Sequence, residues 1–353
     1  MTQRIPARPE LDDEAQAVLG IAIRTLAEIS YRLRVANEQY RGRAFAEAAQ
    51  SLIAVRPDLV RAAGDGRLRT LPGVGGGIER VLLELLDRGS SGYLQRLREE
   101  AGVEPEPPRT GLSLTGYQGD LHLHTTWSDG RATLPEMVAA ARSQGYRYLA
   151  ITDHSARMTI VHGLGPERLA EQRREIDALQ EEVPELTILQ GIEVDILEDG
   201  SLDLEGDALL RLDVVVASPH LKLRMEPARM TERMLRAIEH PAVTILGHPT
   251  GRRPGQRQGG VYDTEAVFKR ASQLGVAVEL DCDPNRVDLD PDLAVQALSA
   301  GCTFAMDSDA HAPRDFGYIE LGLWCPELAQ IPEERILNWR PLDGLRELRR
   351  ERR

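Results

Sequence analysis

The chain has 353 residues, 42% hydrophobic and 4% aromatic, with a formal net charge of -13. That length holds one large α/β domain and a smaller one, built on aliphatic cores because aromatics are scarce. No apolar run reaches the roughly 18 residues of a membrane span, and an acidic balance does not mark a general nucleic-acid binder.

The N-terminal MTQRIPARPELDDE has no apolar core of a secretory signal, which predicts a cytoplasmic protein. Cys282, Cys302 and Cys325 form no C-x-x-C pair and read as reduced thiols. Lys222 and Lys269 are the only lysines, so the basic groups are nearly all guanidinium. Arginine suits bidentate phosphate contact, although genomic base composition yields the same bias.

Residues 1–105 read as a small helical unit. Apolar residues at helical spacing predict a helix from Asp13 to about Asn37 and a second from about Arg43 to Val55, closed by Arg56-Pro57. Short helices follow at Asp58–Ala63 and Arg67–Leu71. Then LPGVGGGIERVLLELLDRG turns at Pro72-Gly73 and starts a helix near Ile78. No Lys-Ser/Thr follows the glycines, so this is not a Walker P-loop. Its Gly73, Gly75 and Gly77 leave backbone amides open to a phosphate, as in the hairpin of a helix-hairpin-helix motif. The same glycines also serve a plain structural turn.

RGRAFAEAAQSL, GRLRTLPGVGGGIERVLLELLDRG and YLQRLREE together resemble the N-terminal 8 kDa domain of family X DNA polymerases. Lyase-competent members carry lysines in the hairpin and its following helix; Gly77 and Val81 stand at those positions here. A Schiff base needs an amine, so lyase activity is not expected. The resemblance implies DNA as a partner, docked on the hairpin backbone with Arg69 or Arg80 assisting. The proline-rich EPEPP at Glu104–Pro108 opens a linker, set at 106–117.

From 118 to about 345 the chain repeats a strand–helix rhythm, which predicts a parallel α/β barrel. The strands are read at Leu121–His124, Tyr148–Thr152, Leu186–Glu193, Val214–Ser218, Val243–Gly247, Val276–Leu280 and Thr303–Met306. The helices are read at Leu134–Gln144, Pro166–Glu182, Pro227–Glu239, Thr264–Leu274 and Pro291–Ala300. Seven units give a distorted (β/α)7 barrel, whose chemistry belongs at the C-terminal ends of the strands.

The polar residues fall at those ends. In DLHLHTTWSD, His122 and His124 alternate with leucines, and Asp129 follows in the loop. His154 ends YLAITDH, Glu193 ends ILQGIE, His220 ends VVVASPH and His248 ends VTILGH; Asp309 and His311 lie in DSDAH. Six of the eight histidines thus share one end with three carboxylates. Nine such ligands exceed the four of a single tetrahedral zinc and suit two or three ions with a bridging carboxylate. The ions expected are Zn, Mn or Fe. Such a cluster draws phosphate oxyanions and favours in-line attack of metal hydroxide on phosphorus.

DLHLHTTWSDG, YLAITDHS, GIEVDI, ASPH, GHPTGR and DSDAH, in this order, resemble the PHP (polymerase and histidinol phosphatase) family. The nearest likeness is the PHP domain of bacterial family X polymerases. The resemblance implies a trinuclear centre: His122, His124, Glu193 and Asp309 on one metal; Glu193, His220 and His248 on the second; Asp129, His154 and His311 on the third. Glu193, Asp309 and His162 form the expected catalytic set; His162, in TIVHGLG, reads as a rim-loop histidine that is either the general acid for the leaving group or a plain rim residue. Arg252 and Arg286 are the expected phosphate contacts, with Arg157, Arg253 and Arg314 also in loops after strands. His240, before Pro241, reads as structural.

Two departures from the family are visible. No palm separates the helical unit from the barrel, so no polymerase activity is expected. The sixth strand ends in ELDCDPNRVDL, with Asp281 and Asp283 where an Asn-containing segment is usual. The function expected is a metal-dependent phosphoesterase acting on DNA, as a 3′–5′ exonuclease or 3′-phosphatase. The alternatives are a small-molecule phosphomonoesterase acting on a nucleotide or a histidinol-phosphate-like ester, and a non-catalytic DNA-binding repair accessory protein.

Overall fold

The computed structural model describes residues 11–103, 112–157, 161–204 and 207–344. The proline-rich break at 104–108 and the arginine-rich tail beyond 345 lie outside them, as does the expected linker up to residue 111. The chain divides into two compact units. One contains five helices plus the short segments Pro254–Gln256 and Glu320–Trp324; the other contains the sheet.

In the helical unit, α1 (Asp13–Val35) packs on α2 (Gln39–Val55), followed by α3 (Leu59–Gly64), α4 (Gly76–Arg88) and α5 (Gly92–Glu100). Asp12 caps α1 by accepting the Ala15 amide, and Leu19, Ile23, Leu26 and Leu33 form its buried stripe. The same helix buries Glu28, which receives Arg32 at 2.8 Å and Arg98 of α5 at 2.6 Å. That pair ties α5 back to α1, and removing one partner would strand a buried charge. The helix expected at Arg67–Leu71 is a 3-10 turn, Leu68–Thr70, and α2 starts four residues before Arg43.

The second unit is a seven-stranded parallel sheet in sequence order: β1 (Gly119–Asp120), β2 (Tyr148–Ile151), β3 (Thr187–Asp195), β4 (Val214–Ser218), β5 (Ile245–Leu246), β6 (Ala277–Asp281) and β7 (Phe304–Asp307). A parallel bridge between Leu123 and Ala310 brings the first and last strand ends together, so the sheet is a nearly closed (β/α)7 barrel. The crossover helices are α6 (Leu134–Ser143), α7 (Pro166–Glu182), α8 (Asp207–Arg211), α9 (Pro227–Ile238), α10 (Thr264–Leu274) and α11 (Pro291–Ser299). Proline in the first turn of α6, α7, α9 and α11 costs no helix bond there, since those amides have no partner inside the helix. Thr133 and Glu136 close a capping box at α6.

Strand alternation splits the core into two. On β2, Leu149 and Ile151 face outward to Met137, Val138 and Ile176 of the helices. Tyr148 and Ala150 face inward to Leu121, Val216, Ile245, Ala277 and Ala305. Asn338 seals the inner core: its amide donates to the Gly119 carbonyl and to Asp307, and its oxygen accepts the Met306 amide.

The strand expected at Leu121–His124 does not form as such. Its ladder ends at Asp120 because the next amides turn to side chains. Leu121 donates to Asp307, His122 to Asp120, Leu123 to Thr152 Oγ1 and Thr125 to Asp153. The fifth strand is likewise shorter than the Val243–Gly247 expected.

Candidate metal centre

Glu193, on the inward face of β3, is the hub. Its Oε1 lies 3.1 Å from His220 Nε2 and 3.2 Å from His248 Nε2. Its Oε2 lies 2.9 Å from His154 Nδ1, 3.5 Å from His122 Nε2 and 3.7 Å from His124 Nε2. Asp309 Oδ1 stands 3.0 Å from His124 Nε2 and 3.7 Å from His122 Nε2. Asp129 lies 3.8 Å from His124, 3.6 Å from His154 and 3.5 Å from His311. All nine sequence-derived candidates are therefore gathered in one cluster.

The loops that deliver these side chains are fixed by other residues. Asp153 accepts the amides of Thr125 and Ser128 and the hydroxyls of both, and Gln172 of α7 donates to its second oxygen. That network holds the turn carrying Asp129. Before His248, a side chain on Gly247 would fall 2.3 Å from Ser218 Oγ, so only glycine permits the approach to β4. Asp309 adopts φ +50°, a left-handed conformation that aspartate tolerates better than most residues.

The donor set fits divalent cations. Two ligand atoms on one tetrahedral ion at about 2.1 Å stand about 3.4 Å apart, close to the spacings above. His122 Nε2, His124 Nδ1, His154 Nδ1 and Glu193 Oε1 are buried with no hydrogen-bond partner. Buried polar atoms in native structures nearly always have one. Groups that could each hold an ion include His122/His124/Asp309, His154/Glu193/His220 and His124/Asp129/His154/His311.

The charges are matched to that use. Burial alone would raise Glu193, but His220, His154 and His122 hold it well below the usual carboxylate range. Burial and the facing His311 and His154 push His124 down to about 3. Burial opposes protonation of His154, yet Glu193 and Asp129 lift it to about 10. Glu193, Asp129 and Asp309 are thus held ionised, whereas burial lifts Glu279 to about 7, and His154 and His311 take up protons where cations would otherwise balance the charge.

Of the expected substrate contacts, Arg286 reaches the cluster. Its Nε lies 3.3 Å from Asp309 and 3.4 Å from Asp281. Asp281 also accepts the Asp283 amide, and Asp283 accepts the amide and side chain of Asn285, so both extra acids are engaged locally. Arg252 is turned to the Val287 carbonyl and Asp290. Arg157, Arg253 and Arg314 are exposed. His162 lies on an exposed turn at φ +54°, its carbonyl accepting Arg168, and the structure does not gather it with the cluster. His240 accepts the Ala242 amide, a turn contact. In the helical unit Gly73 has φ +78° and lies against the Ala48 backbone, while Gly75 caps α4 and Gly77 faces open space.

Two supporting carboxylates escaped the sequence reading. Asp195 accepts His220 Nδ1–H, and its signal was its place two residues after Glu193 on the same strand face. Glu279 contacts both His122 and His248. Its signal was a lone acid between Val278 and Leu280 in a strand buried on every side.

A barrel with a carboxylate-bridged histidine cluster at its strand C-termini defines a metallohydrolase-type centre. The PHP domain family model matches residues 120–278. The chain is 37% identical over 246 residues to the DNA polymerase/3′-5′ exonuclease PolX of Bacillus subtilis, an alignment covering 69% of this chain and 43% of that protein. It therefore spans less than half of that longer relative. It is 31% identical over 234 residues to a probable phosphatase of Thermoanaerobacter sp., covering 62% of this chain and 89% of the relative. The crystal structure of histidinol phosphate phosphatase from Lactococcus lactis superposes with TM-score 0.45 at 17% identity, over 61% of this chain and 93% of that one. The chain belongs to the PHP family.

Proposed function

We propose that this protein is a metal-dependent phosphoesterase acting at a 3′ end of DNA, as an exonuclease or terminal phosphatase. The observation that carries the chemistry is the gathering of seven further candidate ligands around Glu193 and Asp309. DNA as substrate is supported by the all-α N-terminal unit with its open glycine turn, and by the exonuclease named among the relatives.

His122, His124, Glu193 and Asp309 would hold one ion, with Glu193, His220 and His248 on a second and Asp129, His154 and His311 on a third. Bound divalent cations supply Lewis-acid polarisation of a phosphoryl oxygen and acidify water toward neutrality. Arg286, anchored by Asp281 and Asp309, presents a guanidinium at the edge of the cluster for a non-bridging phosphate oxygen. Asp195 and the Asp309 carbonyl fix His220 and His311 by accepting their Nδ1–H groups, leaving each Nε2 free to ligate.

A second reading, hydrolysis of a small phosphomonoester, is favoured by the acidic barrel unit and by the probable phosphatases among the relatives. The test places a 5′-labelled oligonucleotide and p-nitrophenyl phosphate side by side with manganese or zinc, using His124→Ala as control. Laddering lost in the variant supports the DNA reading. Nitrophenol release with an untouched oligonucleotide replaces it with the second. Neither activity, despite bound metal, returns the protein to the accessory-module class.

A further inference from the structure

β6 is the one strand that neither carries one of the nine candidate ligands nor leads into a loop that does. Its inward-facing positions, alternating from Ala277, are Glu279 and Asp281. Glu279 is fully buried. Its Oε1 lies 2.6 Å from His122 Nδ1, while its Oε2 accepts the backbone amide of His248 and sits 3.3 Å from His248 Nδ1. One carboxylate therefore touches two histidines whose Nε2 atoms face opposite oxygens of Glu193.

We propose that Glu279 is a positioning residue that sets the tautomer of His122 and anchors the backbone of His248, and so supports both of the ion positions bridged by Glu193. This rests on the metal-centre reading above.

A carboxylate has no donor, so it accepts from Nδ1–H of His122 and leaves Nε2 with a free lone pair. At His248 it is the backbone amide that donates to Oε2; the ring Nδ1, 3.3 Å from the same oxygen, makes no hydrogen bond. The His122 ring then presents Nε2 to the cluster, and the His248 backbone is held beside it. A glutamine at this position would behave differently. The His248 amide can only donate, so the glutamine oxygen must face it. The glutamine NH2 then faces His122 Nδ1 and needs an acceptor there. His122 would be driven to the Nε2–H form, whose ligating lone pair is gone. Shape is preserved while tautomer is inverted.

The test uses the full chain, stripped of metal and titrated with zinc in competition with a chromophoric chelator. Wild type and Glu279→Gln are compared, with circular dichroism to check that both are folded. Loss of an outer partner of a metal histidine weakens affinity about 10–100-fold. Glu279→Gln is expected to lose that much at the ion served by His122, while an ion held by Asp129, His154 and His311 keeps its affinity. Full stoichiometry at wild-type affinity overturns the proposal. Long-range 15N–1H spectra of histidine-labelled protein give a second readout, which needs only the wild type. Nδ1–H at His122 is expected, and Nε2–H at His122 overturns the proposal even if the variant fails to fold. Wild type that binds no zinc would sink the metal-centre reading, whereas the spectra of the metal-free chain would still report on Glu279.

Discussion

Replacing Glu193 with glutamine is the sharpest perturbation of the centre. The side chain keeps its size but loses the charge that faces five imidazoles between 2.9 and 3.7 Å. Losing an outer-shell partner alone costs up to about 100-fold in metal affinity, and Glu193 is a direct bridge, so 100-fold is a lower figure. By mass action, a 100-fold weaker ion stabilises the folded state by about 2.7 kcal/mol less at a fixed metal concentration. A unit of this size shifts in melting temperature by about 2–4 °C per kcal/mol. The metal-induced rise in melting temperature should therefore shrink by about 5–11 °C in Glu193→Gln. The assay is thermal unfolding with and without manganese or zinc, with chelator as baseline. A variant that keeps the wild-type metal-induced rise would refute the view that Glu193 bridges the ions.

Asp195→Asn should weaken metal binding about 10–100-fold, because His220 loses the acceptor that orients its ring; equilibrium dialysis checks it, and unchanged binding would make Asp195 a bystander. Metal affinity should rise with pH across the neutral range and up to about 9–10, since His154, lifted to about 10, and His311, lifted to about 9, must shed protons before ligating. Calorimetry in buffers of different ionisation enthalpy reads those protons directly, and no proton release at pH 7.5 would contradict the scheme. Leu149→Ala, in the fully buried layer between β2 and the helices, should cost about 2–5 kcal/mol in denaturant melts. Because Leu149 faces away from the cluster, zinc stoichiometry should be unchanged, and a lost ion would show that the outer core also shapes the centre.

The sequence by itself determined the strand–helix rhythm and the end of the barrel where the chemistry collects. Hydrophobic runs and helix-start signals placed α7, α10 and β4 at the observed bounds, because β4 is buried throughout and reads as a continuous apolar run, while each helix buries one face at helical spacing. His122, His154, Glu193, His220, His248 and Asp309 were legible for the same reason: a polar residue ending an apolar strand has nowhere to point but the barrel mouth.

What only the tertiary structure decided concerns partners distant in the chain. β1 stops at Asp120 because the amides of Leu121, Leu123 and Thr125 bond to the side chains of Asp307, Thr152 and Asp153, which no local pattern records. Arg252 and Arg286 look alike in sequence, yet one is taken by Asp290 and the other reaches Asp309. Glu279 and Asp195 read as ordinary strand acids until the fold sets them against His122, His248 and His220. Hydrogen bonds at 2.6–2.9 Å between residues 157 and 186 apart depend on closure of the barrel, and closure is a property of the packed sheet.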